Sequence, residues 1–339
     1  MKKYLIIYHK EDNDGVVSGA MFCNYLLNNM NITIEDIALL PSDYNSLEIF
    51  KNTNTIEDLM NSYESIIMTD ISINDPQYMG DLFLYYGSKF IWCDHHKPII
   101  DESNKHKFNL APGVRDITKS AILCAYEYLY DPFNERYKEK DIPELFRILS
   151  GWDSWSYERE GYEFEYVKAI NKAFTIKFNL DFNKILDYIN EVIDRWNLDH
   201  INIFDAKEFY DYGMILNNYD DIIMEDIIKN SGDKSWKVMV DDKDREMPLL
   251  IDACAIFHQG ASNSTMFNCL KETEIQLGLV FKHSPNGNWV MSMYNINDDY
   301  WFHCGEFLKK KYNGGGHKGA AGCTLTQDQF INLLITKLV

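Results

Sequence analysis

The chain reads as an α/β protein, with a parallel-sheet domain joined by a long helix to a smaller α+β domain. Three observations predict this. Apolar, β-rich runs alternate with helical patterns through the first half, as βαβ units require. Residues able to do chemistry follow directly on those apolar runs, where the strands of a parallel sheet open towards ligands. A long helical pattern at 205–231 then gives way to hairpin-like strands. At 339 residues the chain has room for two domains of about 100–200 residues each.

Taken in order, residues 4–8 read as a strand and 15–30 as a helix, with Val16, Val17, Ala20, Met21, Tyr25 and Leu26 on its apolar face. Strands are expected at 36–40, 65–69 and 89–93, and helices at 55–62, 76–86 and 118–130. The stretch 131–145 is polar, carries two prolines and reads as a loop. A helical run ending at Leu149 follows, then helical pattern over 163–198. The pattern at 205–231 is read as the connector, broken by Ser231-Gly232-Asp233. Beyond it, 236–240, 249–257, 275–282 and 288–294 are strand-like. Pro285-Asn286-Gly287-Asn288 joins the last two as a tight turn, and a helix at 326–338 closes the chain. The expected division is 1–198, 199–232 and 233–339.

Composition narrows the function. The chain is 46% hydrophobic and 25% charged, the balance of a folded globular protein. No apolar run reaches the roughly 18–20 residues of a membrane span. The N-terminus reads as a first strand, not a signal peptide. Seven scattered cysteines without Cys-x-x-Cys spacing suit reduced thiols in the cytoplasm. A net charge of −19 argues against binding long duplex nucleic acid on a broad basic surface. A short phosphorylated ligand remains compatible if metal ions supply positive charge locally.

His9, Asp12 and Asp14 follow the first strand, Asp70 the strand at 65–69, and Asp94-His95-His96 the run Phe90-Ile91-Trp92-Cys93. Asp153 follows the helical run ending at Leu149. Alone, Asp12-Asn13-Asp14-Gly15 reads as a surface turn and Asp70 as a helix N-cap. All of them in order at strand ends fit a different recipe. Two divalent cations about 3.5–4 Å apart need several carboxylates, one bridging, together with imidazoles. In an extended segment Asp12 and Asp14 would point the same way, with Gly15 turning the chain into the helix.

With these pieces in place the chain resembles the DHH phosphoesterases. The matching motifs are His9 to Gly15, Asp70, Asp94-His95-His96 and Asp153, and Gly314-Gly315-Gly316-His317-Lys318-Gly319-Ala320-Ala321-Gly322 resembles the signature of the associated DHHA1 domain. The resemblance implies that His9 and Asp12 hold one metal, that Asp70 bridges, and that Asp14, His95 and Asp153 complete the second. It implies two divalent ions, Mn²⁺ foremost. His96 would contact the scissile phosphate or protonate the leaving group, and Asp94 would orient its neighbours. Gly314, Gly315, Gly316 and His317 would bind substrate across an interdomain cleft, with Ser292 and Tyr294 on a nearby strand. Glu11 is a competing ligand. Asn313 stands where a fourth glycine is common and Tyr294 where arginine is common, which favours aromatic contact with a base or ribose.

The function implied is hydrolysis of very short oligonucleotides to mononucleotides, in the manner of a nanoRNase. The alternatives are hydrolysis of a cyclic or linear dinucleotide or of 3′-phosphoadenosine 5′-phosphate, and, from another class, a nucleotide-binding regulator without catalysis. No membrane partner is expected, and a homodimer is left open.

Overall fold

The computed structural model describes residues 3–43, 62–73, 75–130, 142–199, 202–240, 248–260, 262, 264–297 and 301–339. The chain forms two compact units, Met1–Leu216 and Asn217–Val339. Among the described residues no helix is long and apolar enough to cross a membrane. All seven cysteines are unpaired.

The first unit is built on four strands, β1 (Tyr4–His9), β2 (Ile37–Ser42), β3 (Ser65–Thr69) and β4 (Phe90–Cys93). They lie in the order β2-β1-β3-β4, and every pairing is parallel. The strands read as nearly unbroken apolar runs because both faces of the sheet are covered. Alternate residues serve opposite cores. Leu5, Ile7, Ile66, Met68, Phe90 and Trp92 face one side, with Met79, Leu82 and Tyr86 of α2 (Pro76–Tyr86) and Ile99 of α3 (Lys97–Ser103). Ile6, Tyr8, Ile67 and Cys93 face the other. There they meet α1 (Asn13–Asn29), α4 (Ala121–Tyr130), α5 (Glu144–Asp153), α6 (Phe164–Phe178) and α7 (Phe182–Asp199).

Several boundaries differ from expectation for local reasons. Asp12 is the N-cap of α1, its carboxylate accepting the Gly15 N–H at 3.0 Å, so Asp14 lies in the first helical turn rather than in an extended segment. Gly15 is likewise helical. What requires glycine is close approach, since a Cβ there would lie 2.2 Å from the His9 carbonyl oxygen. Asp153 is the last residue of α5 rather than a residue beyond it. The helical pattern expected over 163–198 forms two helices, because Asn179 and Leu180 take left-handed φ of 51° and 52° and end α6. The helix α3 and the three-residue 3₁₀ turns are too short to show a period in the sequence. The short helix expected at 55–62 falls outside the described residues but for Ser62, and so does the loop at 131–145 up to 141.

Helix α8 (Ala206–Ser231) runs through the boundary between the units. The second unit is a six-stranded mixed sheet of β5 (Asp233–Val240), β6 (Leu249–Phe257), β7 (Leu277–His283), β8 (Trp289–Asn295), β9 (Gly315–Gly316) and β10 (Ala320–Leu325). The order is β5-β6-β7-β8-β10-β9, antiparallel except for β6-β7. One face packs on α9 (Cys304–Tyr312) and α10 (Gln327–Thr336), through Leu308, Phe330 and Leu333. A capping box of Thr326 and Gln329 starts α10. The other face covers Ile228, Met266, Phe267 and Tyr294. The hairpin at 284–288 forms as expected, with Gly287 at φ 85°. The helix α9 and strands β9 and β10 come in addition to the expected elements, β9 being two glycines that give no apolar period.

Gly213 of α8 meets α6 so closely that a Cβ would fall 1.9 Å from the Ala169 carbonyl oxygen. Gly213→Ala should therefore cost about 1–3 kcal/mol of stability, read as a lower urea midpoint with an unchanged m-value.

Candidate metal centre

Parallel register brings the motifs together. Tyr8 pairs with Thr69, and Thr69 with Cys93, so the next residues, His9, Asp70 and Asp94, stand side by side at the carboxyl edge of the sheet. Connections leave β1 and β3 towards different neighbours, and that switch point is where open α/β sheets bind ligands. Asp70 leaves its strand at φ 56°, a left-handed conformation that aspartate tolerates better than most side chains. Asp14 is carried there by the first turn of α1, and Asp153 by the last residue of α5.

Among the described residues, three overlapping groups have donor atoms within 4.8 Å of one another: His9-Asp12-Asp70, Asp70-His95-His96 and Asp14-His95-Asp153. Asp70 and His95 each belong to two. His9 Nδ1 is 2.9 Å from Asp12 Oδ2 and 3.5 Å from Asp70 Oδ2. His95 Nε2 is 3.2 Å from both Asp70 Oδ1 and Asp153 Oδ2, and 3.6 Å from Asp14 Oδ2. Glu11 reaches His9 Nε2 only at 3.8 Å and belongs to none of the groups.

Asp94 does different work. It is fully buried. Its Oδ1 accepts the His95 and His96 N–H groups at 2.7 and 3.0 Å and contacts His96 Nδ1 at 2.7 Å. Its Oδ2 accepts the Trp92 indole N–H at 3.1 Å. Asp14 also starts a helix: its two oxygens accept the Ala121 and Ile122 N–H groups of α4 at 2.7 and 2.9 Å. Asn13 ties the same turn of α1 to α6, donating to Asn171 Oδ1 and Thr175 Oγ1 at 2.7 Å each. Neither Trp92 nor Asn13 carries a sequence signal, one being an ordinary strand residue and the other the middle of a turn-like tetrapeptide.

The cluster is short of positive charge. Among the described residues, the ion-pair partners of Asp12, Asp14, Asp70, Asp94 and Asp153 are only His9, His95 and His96. Burial, then the charges of Asp14 and Asp12, hold the Asp70 carboxyl well above the usual range. Burial, then Asp14 and Asp70, do the same to Asp153. Burial alone would lower His9, but hydrogen bonds to Asp12 and Asp70 outweigh it and push the imidazole up to about 10. Burial opposes ionisation of Asp94 too, yet the bond to His96 wins and holds it low. Asp70 Oδ1 is buried and receives no well-formed hydrogen bond. Buried carboxylates, imidazoles and an unsatisfied oxygen fit a divalent cation such as Mn²⁺.

In the second unit, Gly315 and Gly316 form the edge strand β9, paired with Gly322 and Ala321. His317 is exposed, and its N–H donates to the Ala320 carbonyl at 2.7 Å. The glycine run is thus a hairpin arm rather than an irregular loop, and Gly314 precedes it. Ser292 is half-buried in β8 opposite Gly322. Tyr294 is 7% exposed, packs near Phe267 and donates its hydroxyl to Ser262, so the open aromatic contact expected of it is not available.

This is an α/β protein with a carboxylate–histidine centre at the sheet edge, and the resemblance to the DHH phosphoesterases stands on that motif order. Among curated proteins the chain is similar to oligoribonuclease NrnB of Bacillus subtilis, 23% identical over 277 residues, or 80% of this chain. The match spans 61% of that relative's length. No family model matches the chain. Among solved structures it superposes on a pGpG-specific phosphodiesterase, PggH, from Vibrio cholerae with 14% identity and a TM-score of 0.48, covering 99% of this chain and 98% of that one. An exonuclease RecJ bound to manganese gives 12% identity and a TM-score of 0.43 over 99% and 89%.

Asp153 tests the charge argument. Its raised pKa means that the native state holds a proton the unfolded chain has lost, so metal-free stability falls as pH rises through that range. Asp153→Asn should raise the stability of the chelated protein by about 1 kcal/mol, more at pH 8 than at pH 5. It should also shrink the thermal shift produced by added Mn²⁺.

Proposed function

We propose that the chain is a metal-dependent phosphodiesterase that hydrolyses very short oligonucleotides to mononucleotides. The observation that carries this reading is the set of overlapping donor groups sharing Asp70 and His95. The named activity of the Bacillus subtilis relative supports the substrate class. His9, Asp12 and Asp70 would hold one ion, and Asp70, Asp14, His95 and Asp153 the other, with Asp70 common to both. Two divalent ions, Mn²⁺ in this proposal, supply an activated water and neutralise phosphoryl charge when bound.

The chain's own residues supply the rest. With Nδ1 of His96 donating to Asp94, proton exchange with the leaving oxygen falls to Nε2. Asp94 stays ionised and fixes the ring. Asp14, anchored by two backbone N–H groups, keeps its carboxylate orientation without help from a ligand. In the DHHA1-like unit, Gly314, Gly315, Gly316 and His317 would bind substrate, the glycines by offering bare backbone.

The deciding assay is turnover with Mn²⁺ on 5′-phosphorylated RNA and DNA of increasing length, cyclic and linear dinucleotides, 3′-phosphoadenosine 5′-phosphate and pyrophosphate. Mononucleotide release confined to the shortest oligomers is expected. Equal activity on long single strands would make it a single-strand exonuclease instead, and binding without turnover a regulator. Asp70→Ala should lose both metal and turnover. Asp94→Asn should keep metal while turnover drops roughly 10–100-fold. His317→Ala should raise KM and leave metal content unchanged, both measured beside wild type, the metal by elemental analysis.

A further inference from the structure

We infer that Trp155 is a stacking platform for a nucleobase of the substrate. The inference rests on the nucleotide reading of the metal centre. Trp155 lies two residues after Asp153, a chain distance of at most about 7 Å. It is 64% exposed, although its indole is among the largest apolar surfaces a chain can bury. Single exposed apolar side chains are ordinary on protein surfaces. Three features separate this one.

The first is backbone conformation. Trp155 sits at φ 55°, in the left-handed region that a bulky side chain enters at a cost and that clusters at functional sites. The second is the support around it. Ser154 donates its hydroxyl to the Ser150 carbonyl at 2.7 Å and lies 2.8 Å from the Ser156 hydroxyl, fixing the turn on both sides of the tryptophan. The third is ring geometry. Phe164 lies 18° from parallel with Trp155 at 5.9 Å, and Trp152 lies 21° from parallel at 6.4 Å. Trp152 and Phe164 are themselves 26° from parallel at 5.7 Å. The three nearly parallel rings are about equidistant and form a compact cluster, with Trp155 as its exposed member. By contrast Trp301, which is 56% exposed, meets Phe302 edge-on at 86°.

A further flat ring can lie on the exposed indole without needing positive charge. That suits a chain of net charge −19. With Trp155 two residues from Asp153, an indole on the site side of that turn would meet the nucleoside of a phosphate held at the Asp14-His95-Asp153 group. Stacking reads the π-face and not the base edge, so the grip would be tolerant of sequence.

The test is binding of AMP and of ribose 5-phosphate to the Mn²⁺-loaded protein by calorimetry, with Trp155→Ala and Trp155→Phe beside wild type. Trp155→Ala should weaken AMP about tenfold and leave ribose 5-phosphate unchanged. Trp155→Phe should bind AMP within about twofold of wild type. Equal AMP affinity in Trp155→Ala, or the same loss for both ligands, overturns the inference. Turnover of pApA by wild type is measured in parallel. If AMP discrimination behaves as expected but no oligonucleotide is cleaved, the stack stands and the phosphodiesterase reading falls.

Discussion

The pairing of β1, β3 and β4 in parallel register is the constraint on which the site depends. Side-by-side strands of one direction end at one edge, and His9, Asp70 and Asp94 are the first residues there. A slip of one residue would turn every strand side chain to the opposite face. That would exchange the two cores, putting Ile6 and Tyr8 where Leu5 and Ile7 belong. The packing of the sheet on both faces therefore fixes the site's geometry as firmly as any contact within it.

Negative charge gathered at that edge is costly, and the fold handles each carboxylate differently. Asp94 is given a full set of donors and made a rigid support. Asp14 is steadied by the amino end of α4. Asp12 caps α1 and holds His9. Asp70 and Asp153 receive least, and they carry the raised pKa values. The division separates groups that the protein satisfies by itself from groups that a cation would have to satisfy.

Much of this is legible in the sequence. Continuous apolar runs such as Ser65-Ile66-Ile67-Met68 set the limits of the parallel strands, and polar residues immediately after them mark the edge. What the sequence hides has physical reasons. Asp14 reads as part of an extended segment because a carboxylate cap at Asp12 looks like a turn until its partner, the Gly15 N–H, is known. The break at Asn179-Leu180 is invisible to periodicity, since both residues also occur inside helices. Tyr294 reads as a ligand contact from its place in a motif, but its neighbours Phe267 and Ser262 come from elsewhere in the chain. Trp155 gives no signal at all, because exposure and backbone conformation are properties of the folded state.

The left-handed break after α6 has a further effect. It turns the chain back so that α7 packs on α1, where Asn24 donates to Asn190 at 2.7 Å, while α4 packs on α1 as well. The helix that Asp12 caps and that carries Asp14 is thereby held between two others and buried over most of its length. Catalytic groups are often placed on loops drawn from the least stable parts of a protein. Here two of them, Asp12 and Asp14, belong instead to a helix buried in the core. The positions of those two carboxylates are then set by the packing of the core, and a change that shifts α1 shifts them with it.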